Sequence, residues 1–104
     1  MTERLSQTIA DVTYISSVTA LAGCPDVAIS HGLFILDGAG GFGVAASRIR
    51  ENQIRAKGYS AVLCTVHEEN EKEKAILSKN GWSCLCTFFN KRTKHNVQIW
   101  IKSL

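Results

Sequence analysis

The clearest pattern along the chain is an alternation of apolar and polar positions in its last quarter. Trp82, Cys84, Cys86 and Phe88 alternate with Ser83, Leu85, Thr87 and Phe89, and Val97, Ile99 and Ile101 alternate with Gln98, Trp100 and Lys102. Residues 90–96 between the two runs are polar, so the pattern predicts a β-hairpin with Cys84 and Cys86 on one face. Upstream, Ser60-Ala61-Val62-Leu63-Cys64-Thr65-Val66 reads as a strand between two helical stretches. The first helix follows Gly43 and ends near Gly58-Tyr59, with Ala45, Ala46, Ile49 and Ala56 as its expected inner face and its arginines solvated. The second is expected over 71–80, with Asn70 as its cap, Glu71 and Glu73 suiting its start, Lys79 its end, and Gly81 its stop. Ala75, Ile76 and the stem of Lys79 are expected to face inward.

The first part of the chain is less decisive. Leu5, Ile9, Val12 and Thr19 fit a loose helical stripe with Asp11 as a cap, whereas Val12, Thr13, Tyr14, Ile15 and Val18 favour a strand. The stripe and cap tip the reading toward a helix. Cys24-Pro25 breaks it. Val27-Ala28-Ile29 and Leu33-Phe34-Ile35-Leu36 then flank His31-Gly32 and predict a hairpin or one bulged strand.

The chemistry concentrates where that strand ends. Gly38-Ala39-Gly40-Gly41-Phe42-Gly43 leads straight into Val44-Ala45-Ala46-Ser47-Arg48. Glycines ahead of a helix allow close backbone approach, and the unpaired N–H groups and helix dipole beyond them suit a pyrophosphate. A Gly-x-Gly alone is equally a plain turn. The intervals from Gly43 to Gly58, Gly58 to Asn70, and Asn70 to Gly81-Trp82 narrow the choice.

In loop, helix, strand, asparagine, helix and glycine order, this segment resembles the cofactor-binding core of the GNAT superfamily of acyl-CoA-dependent N-acyltransferases. The likeness covers about the last two-thirds of the chain. It implies an α/β fold: a mixed, mostly antiparallel sheet flanked by helices, with a reduced N-terminal part. It also implies acetyl-CoA as cosubstrate. Leu36, Gly38 and Ala39 would lie along the pantetheine arm, Gly41, Phe42, Gly43, Val44 and Ala45 around the pyrophosphate, and Asn70 beside the cofactor. Two positions depart from the family pattern: Gly38 replaces the loop's Arg/Gln, and Leu77 replaces the tyrosine that often serves as general acid. Asp11-Val12 resembles the opening of short phage proteins of this type, where a helix follows an Asp-Val pair.

The resemblance leaves the general base to be found in Asp37 or His31, on or near the strand before the loop, while Ser78 and Tyr59 are the nearest hydroxyls to the vacant general-acid position. Asp37 has an ordinary alternative as a turn residue, His31 as a half-buried or solvent-facing histidine, and Tyr59 as a core residue. The acceptor would be an amine on a small molecule or a protein. The contrasting reading is a non-catalytic GNAT-fold interaction or virion protein, with or without residual CoA binding. A nucleotide-binding regulator fits less well, because neither a lysine nor an acidic metal ligand accompanies the glycines.

Bulk properties narrow this further. The 104 residues fit one domain, 1–104. A net charge of +3 does not point to nucleic acid, and Lys91, Arg92, Lys94 and His95 read as a solvated loop tip without interleaved aromatics. No apolar run reaches membrane-span length and no signal-type segment follows Met1, so a cytoplasmic protein is expected. Cys24, Cys64, Cys84 and Cys86 make no zinc pattern and read as small buried thiols. Thirty-odd residues before the glycine loop cannot supply all of the family's early strands, so the sheet is expected to be truncated or completed by a partner, a homodimer included.

Overall fold

The computed structural model describes residues 2–9, 12–35 and 43–104. Its elements in chain order are β1 (Thr2–Ile9), β2 (Val12–Leu21), β3 (Cys24–Ile35), α1 (Gly43–Ala56), β4 (Ala61–His67), α2 (Glu71–Lys79), β5 (Ser83–Asn90) and β6 (His95–Ser103). The six strands form one sheet in the order β1-β2-β3-β4-β6-β5. Every neighbouring pair is antiparallel except β3 and β4, which α1 joins in parallel, as a crossover through a helix requires. The expected mixed, mostly antiparallel sheet with flanking helices is therefore present.

The N-terminal helix is not. Val12–Leu21 is a strand paired along its length with β1 on one side and β3 on the other. The β-branched and aromatic residues from Val12 to Ile15 prefer a pleated strand, and two ladders of backbone hydrogen bonds outweigh a loose helical stripe. The proposed cap, Asp11, lies outside the described residues. The first 35 residues supply three strands, more than so short a segment was expected to hold. The alternative of a hairpin or a bulged strand over Val27–Ile35 resolves to the latter. Ser16 stands opposite Leu33 and Ser17 opposite His31, so Gly32 is the extra residue of a bulge.

Alternation sorts the sheet into two faces. Leu5, Val18, Ala28, Val62, Cys64, Val66 and Trp100 share one core with Ile54 of α1, Leu77 of α2, and Trp82. On the opposite face Ile29, Leu63, Ile99 and Ile101 are only half-buried. Contacts of α1 with β1, β2 and α2 place it over the early strands. A shallow groove lined by α2 residues together with Cys84, Gln98 and Trp100 places α2 over β5 and β6. The two helices thus leave the β3–β4 region between them.

Which helix residues face inward differs from expectation. Ser47, Arg50, Glu51 and Ile54 of α1 are buried, while Ile49 and Ala56 are exposed. The helix turns a polar stripe to the core, where Glu51 finds the partners described below. On α2, Leu77 is fully buried, Ile76 half-buried, and Ala75 and Lys79 exposed. This helix ends in a Schellman motif. Gly81 N–H donates to Ser78 O and Trp82 N–H to Leu77 O, with Gly81 at φ +85°. The motif returns the chain under the helix and places Trp82 in the core beside Leu77.

The C-terminal hairpin forms as expected, with one correction. A register shift between Cys84 and Cys86 sets Cys84 opposite Trp100 and Cys86 opposite Ile99, so the two cysteines lie on different faces. β5 is an edge strand exposed on both sides, with Leu85 60% and Phe89 55% exposed. Cys24, Cys84 and Cys86 are exposed and only Cys64 is buried, against the expectation of buried thiols throughout.

Leu77→Ala should cost about 2–5 kcal/mol of stability, as removal of a fully buried leucine does, whereas Leu85→Ser should change it by less than about 0.5 kcal/mol. Urea unfolding of the two variants checks the contrast.

Candidate functional site

The pairing of β3 with β4 is brief: Val27 with Ala61, Ala28 with Val62, and Ile29 with Leu63. Beyond this β3 runs on to Ile35 beside β2, and β4 runs on to His67 beside β6. The two strands part company. A cleft of about 240 Å³ opens on the helix side of the divergence, lined by Ser30 of β3, residues 64–67 of β4, Arg50 of α1, and Asn70 and Glu73 at the start of α2.

Asn70 reaches this cleft because it caps α2. Its side chain accepts from the Glu73 N–H at 3.1 Å and its own N–H donates to His67 O at 2.9 Å. The same cap sets Glu73 on the inward side of the first turn. No side-chain hydrogen bond or ion pair ties down the Glu73 carboxylate among the described residues.

Adjacent residues of α1 then do opposite things. Glu51 is buried, but its carboxylate accepts from Trp82 Nε1 at 2.7 Å and pairs with Lys102 Nζ at 2.9 Å. Lys102 also donates to the Asn80 carbonyl, and Arg48 Nε donates to Asn80 Oδ1 at 2.9 Å. This knot ties α1, the end of α2 and β6 together. Arg50, equally buried, has no such set. Its Nη2 donates to Ser47 Oγ at 3.4 Å, and its Nε has no partner among the described residues. Burial pushes its pKa down, while Cys64, Glu73 and Glu51 act in the opposite sense.

Cys64, across from Arg50, is pushed up to about 12, chiefly by burial, with Arg50 opposing. It is therefore a neutral thiol, a packing residue rather than a nucleophile.

The sequence-derived candidates scatter around this geometry. Gly43 opens α1, as expected, and Val44 and Ala45 follow it in the first turn. Leu36, Asp37, Gly38, Ala39, Gly41 and Phe42 lie outside the described residues. His31 is exposed and its Nε2 bonds Thr19 Oγ1 at 2.9 Å, one strand over and away from the cleft lining. Ser78 lines the groove by Cys84 and Trp100 rather than the cleft. Leu77, at the tyrosine position of the family pattern, is 0% exposed. Among the described residues, the cleft holds Asn70 from the expected set. Arg50, Ser30 and Glu73 were not singled out. Glu73 could have been found from its place one turn ahead of Leu77 on the same helix face.

No family model and no curated protein matches the sequence. Solved structures do match the fold. An acetyltransferase of the GNAT family from Streptococcus pneumoniae aligns at TM-score 0.70 with 13% identity over 97% of this chain and 65% of its own. The fold is that of the GNAT acetyltransferases. A Bacillus subtilis acetyltransferase in complex with CoA aligns at TM-score 0.78, 9% identity, over 99% of this chain and 77% of its own. A Salmonella typhimurium structure with its cofactor acetyl-CoA aligns at TM-score 0.71, 10% identity, over 89% and 64%. The chain thus spans under two-thirds of two of these three GNAT-fold neighbours. No helix among the described residues is long and apolar enough to cross a membrane, and no cluster there could hold a metal ion.

Two consequences can be measured. Lys102→Met should cost about 3–5 kcal/mol by leaving the buried Glu51 carboxylate short of its cation, and a second substitution, Glu51→Gln, should recover part of it in calorimetric melts. Cys64 has a raised pKa in the fold, so the fold binds the thiol proton more tightly than the unfolded chain does. Its contribution is fully present below the unfolded value, near pH 9, and is lost as pH rises toward 12. Stability should therefore fall more steeply above pH 9 in the natural chain than in Cys64→Ala, and a thiol reagent at pH 8 should label Cys24, Cys84 and Cys86 well before Cys64.

Proposed function

We propose that this chain is an acyl-CoA-dependent N-acyltransferase that moves an acetyl group from acetyl-CoA to an amine on a small molecule or a protein. The observation that carries the reading is the cleft at the β3–β4 divergence, with a helix N-terminus at Gly43 on one strand's path and the Asn70-capped helix on the other's. The likeness to structures holding CoA and acetyl-CoA supports it.

In this reading the pyrophosphate sits at the start of α1, on the N–H groups of Gly43, Val44 and Ala45, with the dipole of a 14-residue helix behind it. The pantetheine arm enters the cleft and passes Asn70. The amine nitrogen attacks the thioester carbonyl carbon directly. A C–N bond forms, the C–S bond breaks, and the CoA thiolate leaves. The proton released from nitrogen passes to Glu73 through water, since among the described residues this carboxylate lines the cleft with no side-chain hydrogen bond or ion pair. Leu77 is sealed in the core and supplies no proton, so the thiolate is protonated from solvent. Because the thioester is already activated, proximity and amine deprotonation supply most of the rate. Three exposed thiols suit a reducing compartment, and we place the reaction in the cytoplasm.

A second reading, a non-catalytic interaction module, is favoured by the half-buried apolar face of Ile29, Leu63, Ile99 and Ile101 and by the open edge of β5. A partner strand, including one from a second copy, would add to that edge through its free backbone groups.

Titration calorimetry separates the two. The natural chain should bind acetyl-CoA saturably. Gly43→Glu should bind at least about tenfold more weakly, because the added carboxylate suits the helix start but repels a pyrophosphate. Glu73→Gln should lower kcat for amine acetylation about 100-fold with little change in KM for acetyl-CoA. A folded chain that gives no heat with millimolar acetyl-CoA would turn the account to the second reading.

A further inference from the structure

The floor of the cleft poses a problem that the acetyl group does not solve. Arg50 is 3% exposed, yet of its five N–H donors only one has a partner among the described residues, at the long distance of 3.4 Å. No carboxylate there stands within ion-pair distance of it. Glu51, its neighbour in sequence, is already held by Trp82 and Lys102. Ser30, 5% exposed on the other wall, has a buried hydroxyl with no partner among the described residues. Buried charges are ordinarily paired, because an unpaired one is costly to remove from water. Among the described residues, Arg50 Nε and Ser30 Oγ thus stand without a partner at one polar cleft.

We infer that this cleft is a carboxylate-binding pocket, in which Arg50 grips the anionic end group of a ligand and Ser30 donates a further hydrogen bond. The planar guanidinium matches a carboxylate fork, which satisfies several N–H groups and the charge together; a neutral amide oxygen would satisfy one bond and leave the charge. Glu73 at the same cleft selects against dianions such as phosphate monoesters, since a second negative charge would face it. The volume of about 240 Å³ holds a carboxylate and several further atoms.

The carboxylate has two sources. It is either the far end of the donor's acyl group, as in a dicarboxylic monothioester, or part of an amine acceptor. The first source rests on the proposed CoA-dependent function; the second needs only the cleft.

Calorimetric titration with acetyl-CoA, succinyl-CoA, β-alanine and propylamine, on the natural chain and on Arg50→Lys, Arg50→Met and Glu73→Gln, tests this. If the acyl group is the source, succinyl-CoA binds at least tenfold tighter than acetyl-CoA. The preference disappears in Arg50→Met, survives in part in Arg50→Lys, and grows in Glu73→Gln. If the acceptor is the source, the two thioesters bind alike, while β-alanine binds in an Arg50-dependent manner and propylamine does not. That result supports the pocket even where neither thioester binds and the CoA reading fails. Arg50→Met should melt no lower than the natural chain, since it removes a buried charge that no carboxylate among the described residues pairs with. Equal binding of carboxylate probes to the natural chain and a folded Arg50→Met, or no binding of any of them, overturns the pocket. Acetyl-CoA binding that persists in both would then leave the proposed function standing by itself.

Discussion

The parallel junction of β3 and β4 is the constraint on which the rest of the structure depends. A parallel pair needs a crossover, and α1 is that crossover, so the start of α1 is delivered to the end of β3 by topology alone. The junction lasts for Val27, Ala28 and Ile29 and then gives way, because β3 stays with β2 while β4 stays with β6. Where it gives way, strand edges that would otherwise bond one another face a cleft. A longer junction would close the site, and an antiparallel one would carry the helix elsewhere.

The position of α1 against the end of α2 and against β6 is fixed by the knot around Glu51. One carboxylate joins α1 to Trp82 at the end of α2 and to Lys102 on β6. Buried ion pairs add little net stability, but they discriminate strongly against arrangements that leave a charge alone, so this one acts as a positioning device for α1. With Glu51 fixed, Arg50 is carried into the cleft whether or not it has a partner there. The apolar core on the same face, from Leu5 to Trp100, supplies the burial that such an arrangement draws on.

Much of the second half of the chain was legible in its sequence. Asn70 as a cap, Gly81 as a stop and the alternation of the hairpin each reflect local chemistry, and local chemistry decides these features. The N-terminal strands were not legible, because helical and strand signals overlap from Leu5 to Thr19 and pairing between strands breaks the tie. The inner face of α1 was misread for a different reason. Apolar periodicity points to Ile49 and Ala56, which are exposed, while the helix buries Ser47, Arg50 and Glu51, and the Glu51 partners Trp82 and Lys102 lie 31 and 51 residues away. Polar residues chosen for distant partners leave no local signature. The bulge at Leu85, which parts Cys84 from Cys86, is hidden in the same way.

The central claim is that a thioester ligand occupies the divergence of β3 and β4. The most direct measurement is a backbone amide NMR titration with acetyl-CoA. Shifts concentrated at residues 30, 43–50 and 64–73, with the hairpin turn at 90–95 unmoved, are the result this account predicts. Shifts confined to β5 and the open face of the sheet, or none at saturating ligand, would contradict it.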